Sequence, residues 1–164
     1  PRSTRKESSA ASDVYKRQAL YKPDIPQNTA AIIRLSACLN LKVHIIEPCG
    51  FNLNDPRFKR VVMDYMGNCK IFRHEDYEKF LKRNKKSRIV LMTTKATKQY
   101  YKFKFKKDDV LLFGRESAGV PDNLHRSIKN KVKIPMSKET RSLNVAMSVA
   151  IISAEALRQN NLLK

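Results

Sequence analysis

The chain has 164 residues, the length of one ordinary domain, and 41% of them are hydrophobic, enough to bury a real core. Its 34 Lys and Arg against 15 Asp and Glu leave a net charge of +19, a field that favours polyanions: RNA, DNA or an acidic membrane surface. Gly50, Gly67, Gly114 and Gly119 are the only glycines, and their spacing excludes both G-x-G-x-x-G and the Walker A loop.

Residues 1–18 are rich in Ser, Arg and Lys, lack an apolar period, and are expected to be a disordered, non-native leader; a single domain is expected over 19–164. Without that leader's five basic and two acidic residues the rest still carries +16. A clipped strand is expected at 19–21, then a helix at 28–39 with Ile32, Ile33, Leu35 and Leu39 on one face and Asn28 as its cap. A buried strand follows at 42–46, closed by a turn through Pro48 and Gly50, and a helix at 56–65 with Pro56 in its first turn. A short strand at 70–72 and a helix at 74–83 continue the alternation, followed by strands at 89–92, 110–113 and 131–134. Strands alternating with helices predict an α/β fold, a mainly parallel sheet with helices on both faces.

The last helix, expected over 142–159, is apolar nearly all round, which predicts burial on two sides and hence a homodimer. Segment 98–107 alternates lysines with Phe103 and Phe105, a period of two that reads either as an edge strand guarded by lysines or as a phosphate-tracking surface. With segments 82–88 and 126–133 it holds 14 Lys and Arg and no acidic residue, so the +16 is concentrated there. Cys38, Cys49 and Cys69 form no C-x-x-C pair and read as reduced thiols of a cytoplasmic protein. His44, His74 and His125 lie far apart, so no metal is expected, and no apolar run is long enough for a membrane helix.

Three blocks carry chemistry. Asn28 and Arg34 stand about one and a half helical turns apart after the first strand. Gly114, Glu116 and Gly119 lie in a turn after a parallel strand, where open α/β sheets bind ligands. Ile134, Met136, Arg141, Ser142, Leu143 and Asn144 lead into the last helix, whose start can hold a polar ligand. In this order the blocks resemble the SPOUT class of RNA methyltransferases. Within it, Tyr21-Lys22-Pro23-Asp24, Gln27-Asn28-Thr29, Glu47-Pro48, Thr93-Thr94-Lys95 and Ser142-Leu143-Asn144 resemble the small tRNA (cytidine/uridine-2'-O)-methyltransferases that act at the wobble position.

That resemblance spans residues 20–159 and implies a SPOUT fold with a C-terminal trefoil knot and a homodimer. It implies S-adenosyl-L-methionine (AdoMet) held by three loops, with Met92, Thr93, Gly114, Glu116, Gly119, Ile134, Met136, Ser142 and Leu143 as cofactor-binding residues. Arg34, Asn28, Arg141 and Asn144 take the catalytic positions, and the substrate is the ribose 2'-hydroxyl in a tRNA anticodon stem-loop. A guanidinium keeps its proton, so the expected role of Arg34 is to orient a phosphate and stabilise the developing alkoxide. Ala30, Met92, Ala146 and Met147 depart from the family's usual residues. Two other readings stay open: a non-catalytic RNA-binding SPOUT protein and an rRNA 2'-O-methyltransferase.

Overall fold

The computed structural model describes residues 16–163. Six strands form one sheet in the order β3-β2-β1-β5-β4-β6, every neighbouring pair parallel. They are β1 (Arg17–Tyr21), β2 (Lys42–Ile46), β3 (Lys70–His74), β4 (Ile89–Met92), β5 (Val110–Phe113) and β6 (Asn130–Val132). Between and after them run α1 (Pro26–Cys38), α2 (Pro56–Met66), α3 (Tyr77–Arg83), a single 3-10 turn at Tyr100–Lys102, α4 (Asp122–Ser127) and α5 (Val145–Gln159). The expected α/β class is the one observed.

Side chains on each strand alternate between two cores, as the pleat demands. Leu20, Val43, Ile45, Val90, Leu111, Phe113 and Val132 face one core, which Ile32 and Ile33 of α1, Val62 of α2, and Val149, Ile152 and Ala156 of α5 complete. Ala19, Tyr21, Ile46, Leu91, Val110 and Leu112 face the other, closed by Phe80 of α3 and Leu124 of α4. Strands covered on both faces need apolar residues at every position, which is why these runs do not alternate with polar ones.

Several boundaries differ from expectation, each for a local reason. Arg17 and Gln18 belong to β1, paired with Lys42 and Val43, so the first strand starts inside the segment expected as a leader; residues 1–15 lie outside the described residues. Helix α1 starts at Pro26 with Ile25 as an uncapped N-cap, so Asn28 sits inside the first turn and is free to bond elsewhere. His74 ends β3 rather than opening a helix, because its carbonyl accepts from the Glu47 amide; Asp76 caps α3 by accepting from the Lys79 amide at 2.8 Å. Helix α5 starts three residues later than Ser142, since it is Asn144 whose side chain accepts from the Ala146 and Met147 amides. Its burial is one-sided: Ser148, Val149, Ile152 and Ala156 are covered while Met147 is 59% exposed. The expected strand at 131–134 is Asn130–Val132, and the six-residue α4 has no counterpart in the periodic pattern.

The lysine-aromatic segment is not an edge strand. Phe103 and Phe105 are buried and meet edge to face at 4.9 Å. Their backbone is held by amide side chains at the end of α5: Gln159 donates to the Phe103 carbonyl and accepts from the Phe105 amide, both at 2.9 Å. The period of two therefore reports which side chains plug a core rather than a ladder.

Candidate active site

All six strands end on the same side, and there a cavity of about 450 Å³ opens between three loops. Met92, Thr93, Thr94 and Lys95 line it from the end of β4; residues 114–120 from the end of β5; and Ser142, Leu143, Asn144, Val145 and Ser148 from the loop into α5 and its first turn. Ile25 and Asn28 from the start of α1 complete the rim, with His125 of α4 opposite. The order reversal between β1, β5 and β4 places this cavity at the switch point where open α/β sheets take ligands.

Two polar assemblies fix the loops. Gly119, at φ 65°, reverses the chain so that Arg115 and Gly119 exchange backbone hydrogen bonds of 3.1 and 2.8 Å. Asp24, just after β1, clamps that turn: its carboxylate accepts from the Arg115 guanidinium, from the Ser117 amide at 3.1 Å and from the Ser117 hydroxyl at 2.5 Å. The Arg115 bonds first, then those of Ser117, hold the Asp24 carboxyl well below the usual carboxylate range. The second assembly is a chain: Asn144 caps α5 with its oxygen and donates its amide to Asn28 Oδ1 at 2.9 Å. Asn28 in turn donates to Glu116 Oε1 at 3.3 Å, and Glu116 Oε2 accepts from the Asp24 amide at 2.7 Å. One connected path thus ties α1, the 114–119 turn and α5 together.

Across the cavity Thr93 Oγ1 lies 3.4 Å from His125 Nε2 and accepts from the Lys95 amide at 3.2 Å. Burial, with Lys131 and Lys95 nearby, lowers the His125 pKa. The Ser148 hydroxyl is buried on the cavity wall with no hydrogen-bond partner among the described residues.

Nine of the expected site residues therefore converge: Asn28, Met92, Thr93, Gly114, Glu116, Gly119, Ser142, Leu143 and Asn144. Four do not line the cavity. Arg34 is on the exposed side of α1, its guanidinium 5.3 Å from the centre of the Tyr65 ring. Arg141 is exposed on the preceding loop, and Ile134 and Met136 lie half-buried beyond β6. Asp24, Arg115, Ser117, His125 and Ser148 were not among the expected site residues, although Arg115 and Ser117 fall inside the expected 114–119 loop and Asp24 inside the family-like 21–24 block. A carboxylate set directly after the first strand was a usable signal for Asp24, whereas its partner Arg115 stands 91 positions away.

A model of the SpoU rRNA methylase family matches residues 17–154. The chain belongs to the SpoU methylase family. Among SpoU relatives, it is 47% identical over 143 residues to the tRNA (cytidine(34)-2'-O)-methyltransferase of Beijerinckia indica, covering 86% of this chain and 89% of that one. The enzyme of the same name from Escherichia coli is 38% identical over 142 residues, covering 85% and 90%. A solved structure from work on the 2-OH methylation of C/U34 on tRNA superposes with a TM-score of 0.85 at 34% identity, covering 90% of this chain and 97% of that one. An AdoMet-bound rRNA methyltransferase from Sinorhizobium meliloti superposes at 0.81 with 25% identity, but this chain spans only 57% of its length. The SpoU match thus reaches from β1 through most of α5 and takes in all three cavity loops.

Proposed function

We propose that this SpoU methylase transfers a methyl group from AdoMet to the ribose 2'-hydroxyl of the wobble cytidine or uridine of tRNA, and works as a homodimer. The observation that carries the reading is the cavity itself, three loops at the strand ends locked by the Asn144–Asn28–Glu116 chain, in a protein 47% identical to an enzyme named for that reaction. The residues present suit the cofactor. Its volume is that of a small-molecule site, its wall carries the unpartnered Ser148 hydroxyl, and Gly114 packs where a Cβ would meet backbone.

Met92, Thr93, the 114–119 turn, Ser142 and Leu143 would hold the cofactor, which when bound supplies an electrophilic methyl group. A ribose hydroxyl is a poor nucleophile, so the protein must position it in line and accommodate the negative charge that develops as its proton leaves. Asn28 and Asn144 fix the rim against which the ribose lies. Arg34 remains protonated throughout, so its part is to fork a phosphate and steady the forming alkoxide, with phosphate or water taking the proton. Because Arg34 stands off the cavity of its own chain, that part requires a second copy to bring it there. Ile25 and Leu143, on the cavity wall, are 41 and 40% exposed and Met147 in the first turn of α5 is 59% exposed, apolar side chains that such a copy would cover. Sedimentation of the free protein tests the dimer.

The decisive experiment is nucleoside mass spectrometry of tRNA incubated with the protein and methyl-labelled AdoMet. A labelled 2'-O-methylcytidine or 2'-O-methyluridine at the wobble position is expected, and its absence would sink the proposal. Arg34→Lys keeps the charge and loses the fork; turnover unchanged in that variant would rule out the forked role.

A further inference from the structure

The exposed cations divide by which end of the sheet they occupy. Segment 82–88 precedes Ile89, the first residue of β4, and so lies at the end opposite the cavity; two of its cations are engaged structurally, Arg83 over the Phe72 ring at 4.4 Å and Arg88 with the buried Asp109 carboxylate at 2.8 Å. At the cavity end, residues 95–102 contribute three lysines, Lys95, Lys98 and Lys102, and no acidic residue.

Residues 98–100 run beside the extension of β6. Lys133 donates to the Lys98 carbonyl and accepts from the Tyr100 amide, both at 2.9 Å, while Val132 accepts from the cavity residue Thr93 on its other side, also at 2.9 Å. Thr93 and Tyr100 are therefore about two interstrand spacings apart, roughly 10 Å. The 3-10 turn that follows is closed by the Lys102 amide on Gln99 and the Phe103 amide on Tyr100, and Phe103 anchors it in the core. Tyr101 stands on this rigid turn, 51% exposed, its ring edge to face with Tyr100 at 5.3 Å; in sequence it lies between the exposed Lys98, whose ammonium is 5.9 Å from the centre of the Phe103 ring, and the exposed Lys102.

An exposed aromatic ring on a fixed backbone, flanked by cations, has the chemistry that receives an unpaired base by stacking while the lysines take its phosphates. A lone surface tyrosine would need neither the anchored turn nor the lysines on both sides. We propose that Tyr101, with Lys98 and Lys102, is a stacking platform for an unpaired nucleotide flanking the one methylated. The proposal rests on the reading of the substrate as single-stranded loop RNA, and it assigns that loop's path: over the end of β6 into the cavity. Tyr101 then acts in RNA binding and leaves cofactor binding alone.

The test compares wild type, Tyr101→Ala and Tyr101→Phe, with an anticodon stem-loop RNA carrying 2-aminopurine beside the target nucleotide. Stacking quenches the probe's fluorescence on binding. In wild type and Tyr101→Phe quenching is expected; in Tyr101→Ala it is lost, the KM for tRNA rises roughly tenfold, and kcat and AdoMet affinity by calorimetry stay as in wild type. Quenching retained in Tyr101→Ala, or lost equally in Tyr101→Phe, overturns the proposal, the second because it would make the hydroxyl rather than the ring face responsible. Quenching is read without turnover, so a wild type that quenches but transfers no methyl group refutes the proposed reaction and leaves the platform standing.

Discussion

Replacing Gly114 by Ala tests the tightness of the cavity's central turn. A Cβ on Gly114 would sit 2.6 Å from Gly119 Cα, 2.7 Å from Gly119 C and 3.1 Å from Val120 N, all backbone atoms with no rotamer to give way. Carbon atoms rest at about 3.5–4.0 Å, so the two arms of the turn must part by roughly 1 Å. Overpacking of this kind costs about 1–3 kcal/mol, a fall in Tm of about 2–12 °C for a chain of this size. Where the turn opens, the cavity changes shape, and AdoMet binding measured by calorimetry is expected to weaken by about tenfold to a hundredfold. Gly67→Ala is the control: its φ of −67° is ordinary and nothing lies within 4 Å of the added carbon, so stability should hold or rise by about 0.4–1 kcal/mol. A Gly114→Ala protein that melts and binds AdoMet as wild type does would refute the close-packed turn.

Asp24→Asn removes the charge that binds Arg115 and Ser117; a loss of about 1–2 kcal/mol and weaker AdoMet binding are expected in chemical denaturation and calorimetry, and an unaffected cavity would mean the turn holds its shape unaided. His44 and His74 are buried side by side, Nδ1 to Nε2 2.8 Å; burial, then His74 and the Arg17, Arg83 and Lys42 charges, push His44 from its ordinary 6.5 down to about 3. Its folded pKa lies below the unfolded one, so the unfolded chain takes up the extra proton. Stability is therefore full above pH 6.5 and falls by about 1.4 kcal/mol per pH unit toward pH 3. Asp24 adds acid sensitivity only below about pH 4. Burial lowers His74 and His125 as well, so urea unfolding between pH 7.5 and 4.5 is compared between wild type and His44→Gln, and a pH profile unchanged by the substitution would remove His44 from the account. Finally, Lys98→Glu with Lys102→Glu should weaken tRNA binding and flatten its salt dependence, while Lys85→Glu with Lys86→Glu, at the far end of a strand about 13 Å long, should do neither. Equal effects in filter binding across a salt series would contradict the division of the surface by sheet end.

Strands were legible where both faces are buried, as in Lys42–Ile46 and Val110–Phe113, because a short uninterrupted apolar run in a chain with this alternation fits a covered strand and is too brief for a helix. Phe103 and Phe105 misled for a physical reason: alternate residues of any extended segment point the same way, and whether a strand or the Gln159 amide satisfies the backbone is decided 54 or more positions away. Asn28 was read as a cap from its type and position, yet Pro26 already starts the helix and the amide is used across the site instead. The 114–119 turn stood out as a Gly-flanked strand end and Ser142 as a helix start, whereas Met92 and Thr93 came from the family resemblance alone. Asp24 was seen only as part of the family-like Tyr21-Lys22-Pro23-Asp24 block, with no role attached, and Ser148 stayed hidden within an apolar helix. The trefoil knot came from the family resemblance alone, since periodicity carries no information on threading.

Strand β5 lies between β1 and β4, though nearly ninety residues separate it from β1 in the chain. β1, β2 and β3 can pair through local βαβ steps, but the sheet's middle closes only when a long stretch of chain has been brought back, an entropically costly search that slows folding. The Arg115–Gly119 turn hangs from the end of that strand, and Asp24 and Asn28 find their partners only once it is seated. Ligand-binding competence should then arrive late in folding, with secondary structure detectable before the cavity can discriminate anything. A nascent or damaged chain that fails to insert β5 would keep much of its helical and sheet signal and have no site at all.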